Sequence, residues 1–355
     1  MRKDFFTILQ EHAARYPLMQ PQDYAKLLYQ SEFGPRHLAA LPDNLPQEWQ
    51  ALPPGAPPPL CQPEPIGGGF SRFHLTHAQQ PAEAAPLLLQ LFRLTAQAKQ
   101  GAPDGLKQRL ELLLRLPQAA ALPHIRAWLA DWQKNGFPPV HHSPIFRQAY
   151  QPHYRLLRSD YAGFFPALLA AAQLAQTTPR PTIIAIDGRC GSGKTSLAQL
   201  IQQLLPDELC RVIHMDDFYL PAAQRPTDWL NIPAGNLDLQ RLQAEVMQPA
   251  QAGAPINYRP YNCQTAAFGA PHSLPPARLT IIEGSYALHP TLAAAYDLKI
   301  FLTVSPAEQA ARLQAREGDY YPNFVSRWIP LEEQYLQKCG VNATADLIIN
   351  TDWLF

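Results

Sequence analysis

The plainest chemistry in this sequence lies in Gly188-Arg189-Cys190-Gly191-Ser192-Gly193-Lys194-Thr195. The spacing fits G-x-x-x-x-G-K-[ST], the phosphate-binding P-loop. Glycines let backbone N–H groups turn inward around phosphate oxygens, where a side chain would block the approach. The start of the following helix adds a favourable dipole. Lys194 is placed to reach β- and γ-phosphates, and the Thr195 hydroxyl to join a Mg²⁺ shell. Ser196 follows in the first helical turn and completes the expected nucleotide-binding set. A chance glycine turn is the competing reading. Cys190 reads as a small filler within the loop, with a redox-sensitive thiol as the alternative.

The flanks are those the motif requires. Thr182 to Asp187 is a short β-branched run that reads as a buried strand. After the loop, Leu197, Leu200, Ile201, Leu204 and Leu205 recur at helical spacing. Cys210 to Met215 reads as a second strand and ends in Asp216-Asp217-Phe218-Tyr219. In open parallel sheets, ligands bind beyond the carboxyl ends of strands. A carboxylate there, Asp216 above all, is placed to take a proton from an attacking hydroxyl. Asp217 and Tyr219 join it as candidate substrate contacts, while turn aspartates are the plainer alternative.

Further along, Asn231 in Asp228–Asp238 and the stretch Tyr258-Arg259-Pro260-Tyr261-Asn262-Cys263, expected as a loop, offer groups for a small polar acceptor. Buried anchoring aromatics compete with that reading of Tyr258 and Tyr261. A helix is expected from about Leu239 to Met247. Leu279 to Gly284 is another buried strand, with Glu283 at its end to bind or orient Mg²⁺. Leu298 to Val304 and Asp346 to Asn350 are the next strands. Between them, Ala307 to Arg316 forms a helix with Arg312 and Arg316 at i, i+4 spacing. Such arginines can close over a nucleotide and offset charge on a transferring phosphoryl group; solvent-facing arginines are the alternative. Arg327 is a further lid candidate. The alternation predicts an α/β fold of three layers around a mostly parallel sheet.

Composition sets the frame. The 355 residues favour two domains. Zero formal net charge, from 29 basic and 29 acidic residues, gives no general field for nucleic acid or membrane. Cys61, Cys190, Cys210, Cys263 and Cys339 form no CxxC and read as reduced thiols of a cytoplasmic protein. The first residues lack the apolar core of a signal peptide, and no run approaches a membrane span. A homo-oligomer is left open.

The first half, residues 1–155, reads as a mostly helical domain, with the P-loop domain at 156–355. Asp4 to Arg15 and Pro21 to Tyr29 are helical; residues 52–65 are a proline-dominated loop. Gly67-Gly68-Gly69 turns into a short strand at Phe70 to Leu75. Helices follow at Ala82–Gln100, Leu106–Leu116 and Ile125–Trp132, and Tyr161–Gln176 is assigned to the second half. Glu32, His37, Glu64, His74, His77 and His141-His142, together with Arg72 and Arg147, leave three readings open: satisfied polar residues, recognition of a ligand, or a metal site.

In the second half, four motifs in order resemble the uridine kinase family of P-loop kinases, with phosphoribulokinase and bacterial pantothenate kinases as wider relatives. They are the P-loop, Met215-Asp216-Asp217-Phe218-Tyr219, Ile282-Glu283-Gly284, and the arginine-bearing helix before Glu332-Glu333-Gln334-Tyr335-Leu336. The resemblance covers about residues 180–350. It implies an ATP- and Mg²⁺-dependent kinase of a small-molecule hydroxyl, with Asp216 as general base, Glu283 supporting Mg²⁺, Lys194 on phosphate, and Arg312 and Arg316 in a lid. A nucleotide-driven switch whose first half binds a partner is the alternative. Asn231 and Asn262 stand where the family carries carboxylates, which weakens the case for a nucleoside acceptor. The first half resembles the N-terminal extension of bacterial uridine kinase-like proteins, which implies no activity.

Overall fold

The computed structural model describes residues 4–38, 44–52, 63–75, 81–98, 101–206 and 208–354. Most of the proline-dominated stretch, Cys61 and His77 lie outside the described residues. The chain divides into two compact units, Met1–Phe165 with Trp353–Phe355, and Pro166–Asp352.

The first unit is mainly helical. Asp4 caps the helix Phe5–Arg15 by accepting from the Thr7 N–H, and Pro21 opens the helix Pro21–Phe33. The helices Ala84–Gln97, Pro103–Leu114 and Ile125–Lys134 follow the expected apolar spacing. Leu9, Leu27, Leu28, Ile66, Leu106, Trp132 and Phe146 belong to one buried core. The β content exceeds the single strand expected. Strands β1 (Glu64–Gly67), β2 (Phe70–His74) and β3 (Tyr154–Arg158) form an antiparallel sheet in the order β1-β2-β3. The expected boundary near residue 155 therefore falls inside β3. The division instead runs within the helix Ser159–Thr177, after Phe165. Local pattern cannot show that pairing, because β2 and β3 are joined only by register across some eighty residues of sequence.

The second unit holds β4 (Thr182–Gly188), β5 (Cys210–His214), β6 (Ile256–Tyr258), β7 (Tyr261–Asn262), β8 (Ala267–Phe268), β9 (His272–Leu274), β10 (Leu279–Glu283), β11 (Leu298–Thr303) and β12 (Leu347–Asn350). Its main sheet runs β12-β11-β4-β10-β5, parallel throughout. Every residue of β4 is buried, as a central strand covered on both faces requires. Ile183, Ala185, Ile213, Ile282, Leu242, Val246 and Phe301 share its core. The stretch around Tyr258 and Tyr261, expected as a loop, instead builds two small antiparallel pairs, β6 with β9 and β7 with β8. The helix expected over Leu239–Met247 is present and passes through a π-helical turn at Gln243–Met247.

The chain leaves β4 toward β5 on one side and leaves β10 toward β11 on the other. The carboxyl ends of β4 and β10 thus face a crevice where strand order reverses, the usual ligand site of such sheets. No helix among the described residues is long and apolar enough to cross a membrane.

Candidate active site

β4 ends in the loop Gly188–Thr195, and the helix Lys194–Leu204 begins at its far end. Gly188 has φ +148°, and a Cβ there would lie 2.1 Å from the Leu302 carbonyl oxygen, so only glycine fits. Gly193, at φ +98°, makes the turn into the helix. Ser192 is fully buried, and its hydroxyl has no hydrogen-bond partner among the described residues. An unused polar atom inside a loop of this shape fits a phosphate-bearing ligand.

Neighbouring elements hold the loop from several directions. Asp187, at its entry, accepts from the Gly188 N–H at 2.6 Å, the Leu288 N–H at 2.8 Å and the Tyr335 hydroxyl at 2.7 Å. Burial pushes its carboxyl pKa up, and those three donors pull against it. Glu332 accepts from the Cys190 N–H at 2.9 Å and the Ser285 hydroxyl at 2.5 Å. Glu333 pairs with Arg189, which also reaches Thr303. The helix Ile329–Cys339 is therefore tied to the loop at three points. Tyr335→Phe removes one donor to a buried carboxylate; the urea midpoint should fall by the equivalent of about 1–2 kcal/mol.

Cys190 is buried, its thiol pKa is raised by burial, and the Gln309 amide donates to both its sulfur and its carbonyl. It fills space in the loop and has no reactive character.

Lys194 Nζ donates to the Gly188 and Arg189 carbonyls at 2.7 and 3.1 Å and lies 3.4 Å from the Ser285 hydroxyl. Thr195 donates to Glu283 Oε1 at 3.1 Å, and His214 Nδ1 meets the same oxygen at 2.6 Å. That bond raises the His214 pKa. Glu283 is buried at the end of β10, beside β4 in register with Ile186. The hydroxyl of Thr195 and the carboxylates of Glu283 and Asp216 are hard oxygen donors of the kind Mg²⁺ takes. Among the described residues, no three His, Cys, Asp or Glu side chains converge to hold a metal by themselves.

Asp216 follows β5 directly. Its carboxyl is open to solvent, yet the surrounding protein desolvates it enough to push its pKa up. The Tyr219 hydroxyl, donating at 3.0 Å, and the charge of Lys194 pull it back down. Asp217 is spent differently: it accepts from the Tyr258 hydroxyl at 2.9 Å. Tyr258 in turn accepts from His272 Nδ1 at 3.2 Å and stacks on Phe218. Tyr261 packs edge-on against Phe268. Tyr258 and Tyr261 are both buried, as the anchoring reading has it.

The remaining predicted residues divide between the loop and the surface. Arg312 bonds Glu308, the Gly191 carbonyl and Thr351, so it braces the loop through a carbonyl. Arg316 pairs with Glu317 and lies over the Phe324 ring; the structure does not bring it to the loop. Arg327 is exposed in the turn Phe324–Trp328. Asn231 is exposed, and its carbonyl accepts from Lys338. Asn262 accepts from the backbone of Gln264 and Thr265 within its own turn. Sequence reasoning missed Asp187, His214, Ser285 and the bracing by Glu332. A carboxylate ending an otherwise apolar strand was the one available signal, at Asp187.

No protein-family model matches the chain. Among curated proteins it is similar to an inorganic pyrophosphatase, TTM2, of Arabidopsis thaliana, 28% identical over 148 residues. That match takes in 40% of this chain and 20% of the relative, so it spans about a fifth of the relative's length. Among solved structures it is similar to a possible uridine kinase from Bacillus stearothermophilus, at 21% identity and a TM-score of 0.41, covering 52% of this chain and 96% of that one. It is also similar to a D-glycerate 3-kinase from Cryptococcus neoformans, at 13% identity and a TM-score of 0.35, covering 48% of this chain and 87% of that one. The parallel sheet with β4 at its centre, the glycine loop at the end of β4 and the helix that starts at Lys194 give the unit Pro166–Asp352 the P-loop NTPase fold.

Proposed function

We propose that this chain is an ATP- and Mg²⁺-dependent kinase that phosphorylates a hydroxyl group of a small metabolite, in the manner of uridine kinase-like enzymes. The observation that carries this reading is the placement of Asp216. It is a solvent-open carboxylate at the carboxyl end of a strand in the loop's own sheet, and it feels the charge of Lys194. A nucleotide switch needs only a positioned water; a kinase needs a base that faces an acceptor.

Bound ATP with Mg²⁺ supplies the transferable phosphoryl group and shields its charge. The rest falls to the chain's own residues. The loop N–H groups of Gly191 and of Gly193 to Ser196, with the ammonium of Lys194, hold phosphate oxygens and offset charge that develops on them. Thr195 and Glu283, with Asp216, present oxygen donors to the cation. Asp216 takes the proton of the acceptor hydroxyl. Tyr219 orients Asp216 through its hydrogen bond. Tyr258, bonded to Asp217 and His272, anchors the turn that carries Asp216. Arg312 keeps the loop in shape from the Gly191 side; Arg316 and Arg327 are read as lid residues that would close over bound nucleotide. With Asn262 occupied in its own turn and Asn231 turned to solvent, the acceptor is read as a small hydroxyl metabolite that is not restricted to nucleosides.

The test is ADP release by the full-length protein with ATP and Mg²⁺, over a panel of nucleosides, pantothenate, sugars and sugar phosphates, with Asp216→Asn as the blank. Stimulation by one compound, absent in the blank, supports the kinase and names its acceptor class. Slow release indifferent to every compound overturns it in favour of the switch.

The pH dependence follows from the raised pKa of Asp216. The base works only when ionised, so activity should fall as pH drops through a value raised above that of an ordinary aspartate. Tyr219→Phe removes a donor that stabilises the carboxylate, so the acid limb should move to still higher pH. A limb that stays put in this variant would separate Asp216 from the titration.

A further inference from the structure

The first unit contains a buried polar cluster that the nucleotide site leaves unused. The helix Pro21–Phe33 sets Asp23, Lys26 and Gln30 on one face by their i, i+3 and i+7 spacing. Arg72 comes from β2, Tyr154 from β3, and His142 from the segment that precedes the helix Pro144–Tyr150. Arg72 is 1% exposed. It gives Nε and Nη2 to Gln30 Oε1 at 3.3 and 3.2 Å, and its guanidinium lies 4.9 Å from the Tyr154 ring centre. The Gln30 amide is thereby oriented, with Nε2 donating to the Tyr154 hydroxyl at 3.1 Å. His142 bonds Asp23 through Nδ1 at 3.0 Å and Tyr154 through Nε2 at 2.9 Å. Since Asp23 only accepts, Nδ1 carries the proton and Nε2 takes the tyrosine's.

The acceptors in this cluster are already engaged. Asp23 also receives the Gln20 N–H, the Ser143 N–H and the Ser143 hydroxyl, at 3.0, 2.9 and 2.6 Å. On the far side of Arg72, Glu64 receives His74 at 2.9 Å and faces Arg72 at 3.7 Å and His12 at 3.4 Å. Donor capacity is left over on the near side. Lys26 is half-buried, and among the described residues its hydrogen-bond acceptor is the Val140 carbonyl, at 3.1 Å. Burial, with the charge of Arg72 behind it, holds its pKa down to about 8. His37 packs edge-on against Tyr29, one turn along the helix from Lys26. Its buried Nδ1 has no hydrogen-bond partner among the described residues. Asp23 and Glu64 already answer the charge of Arg72, but they are filled by the donors named above, so the Lys26 ammonium and the idle imidazole nitrogen of His37, close enough for the one charge to act on the other, are left with donor capacity that one further oxyanion would use.

We propose that this cluster is a second ligand site, which binds a small metabolite through an oxyanion held by Lys26 and His37, with Arg72 behind them. The ligand's anionic group is a carboxylate or a phosphate, and the two sources are separable. In the full-length chain carrying Lys194→Ala, so that the phosphate loop is weakened, inorganic phosphate and malonate are titrated separately while thermal unfolding is followed. One of them should raise the Tm saturably, phosphate marking a phosphoryl ligand and malonate a carboxylate. Lys26→Gln should weaken that binding about tenfold or more, as loss of a charge-assisted hydrogen bond does. Lys26→Arg should hold it within about threefold, since it keeps the charge. His37→Asn gives an independent lesion with the same expected weakening, should Lys26→Gln fold poorly. No saturable shift with either anion, or a shift that Lys26→Gln and His37→Asn both leave unchanged, overturns the proposal.

Discussion

Asp216→Asn should leave ATP binding close to native and reduce phosphoryl transfer by about 10²- to 10⁴-fold, the range supplied by a positioned general base. The amide matches the carboxylate in size and still accepts the Tyr219 hydroxyl, so the turn after β5 keeps its shape. What disappears is the ability to take a proton. Nucleotide binding by fluorescence titration and acceptor-dependent ADP release, measured on the same preparation, separate the two effects. Transfer at the native rate would remove Asp216 from the base's role and leave the turn with a structural part only.

Lys194→Ala should have a different signature. It should lower ATP turnover about a hundredfold or more, as removal of one preorganised donor does, and weaken nucleotide binding at the same time. The ammonium donates to the Gly188 and Arg189 carbonyls in this structure, so it is held within the loop, where its charge acts on Asp216. A variant that bound and turned over ATP normally would sink the assignment of the loop as the phosphate site. The pair is diagnostic: loss of affinity with Lys194→Ala, and loss of rate alone with Asp216→Asn.

Much of the second unit is legible in sequence because its signals are local. A strand buried on both faces is written as a near-continuous apolar and β-branched run, as in Thr182–Gly188 and Leu279–Glu283. The loop glycines follow from a backbone that no side chain permits. The residues that hold the loop are not local. Glu332 reaches Cys190 across more than a hundred residues, and nothing in Glu332-Glu333 distinguishes a loop brace from a solvated helix face. Arg312 shows the same gap: its spacing with Arg316 suggests a shared role, whereas one arginine supports the loop and the other pairs with its neighbour Glu317. In the first unit, the scattered Glu64, His74 and His142 gain meaning only when β2 and β3 pair and enclose Arg72. Glu32, which looked equally chemical, is taken up by Arg109 and the Ala102 N–H.

The bracing of the phosphate loop also bears on how the chain is made. β4 pairs with β10 and β11, which emerge from the ribosome about a hundred residues later. Gly188 needs the Leu302 carbonyl beside it, Cys190 needs Gln309 and Glu332, and Gly191 is held through Arg312 by Thr351. Such non-local pairing is slow to form and leaves strand edges unpaired meanwhile. A nascent chain therefore carries the whole glycine motif long before it can grip a nucleotide. Competence arrives only as the last strand docks, so ATP would stabilise the finished protein and do little for its unfinished precursors.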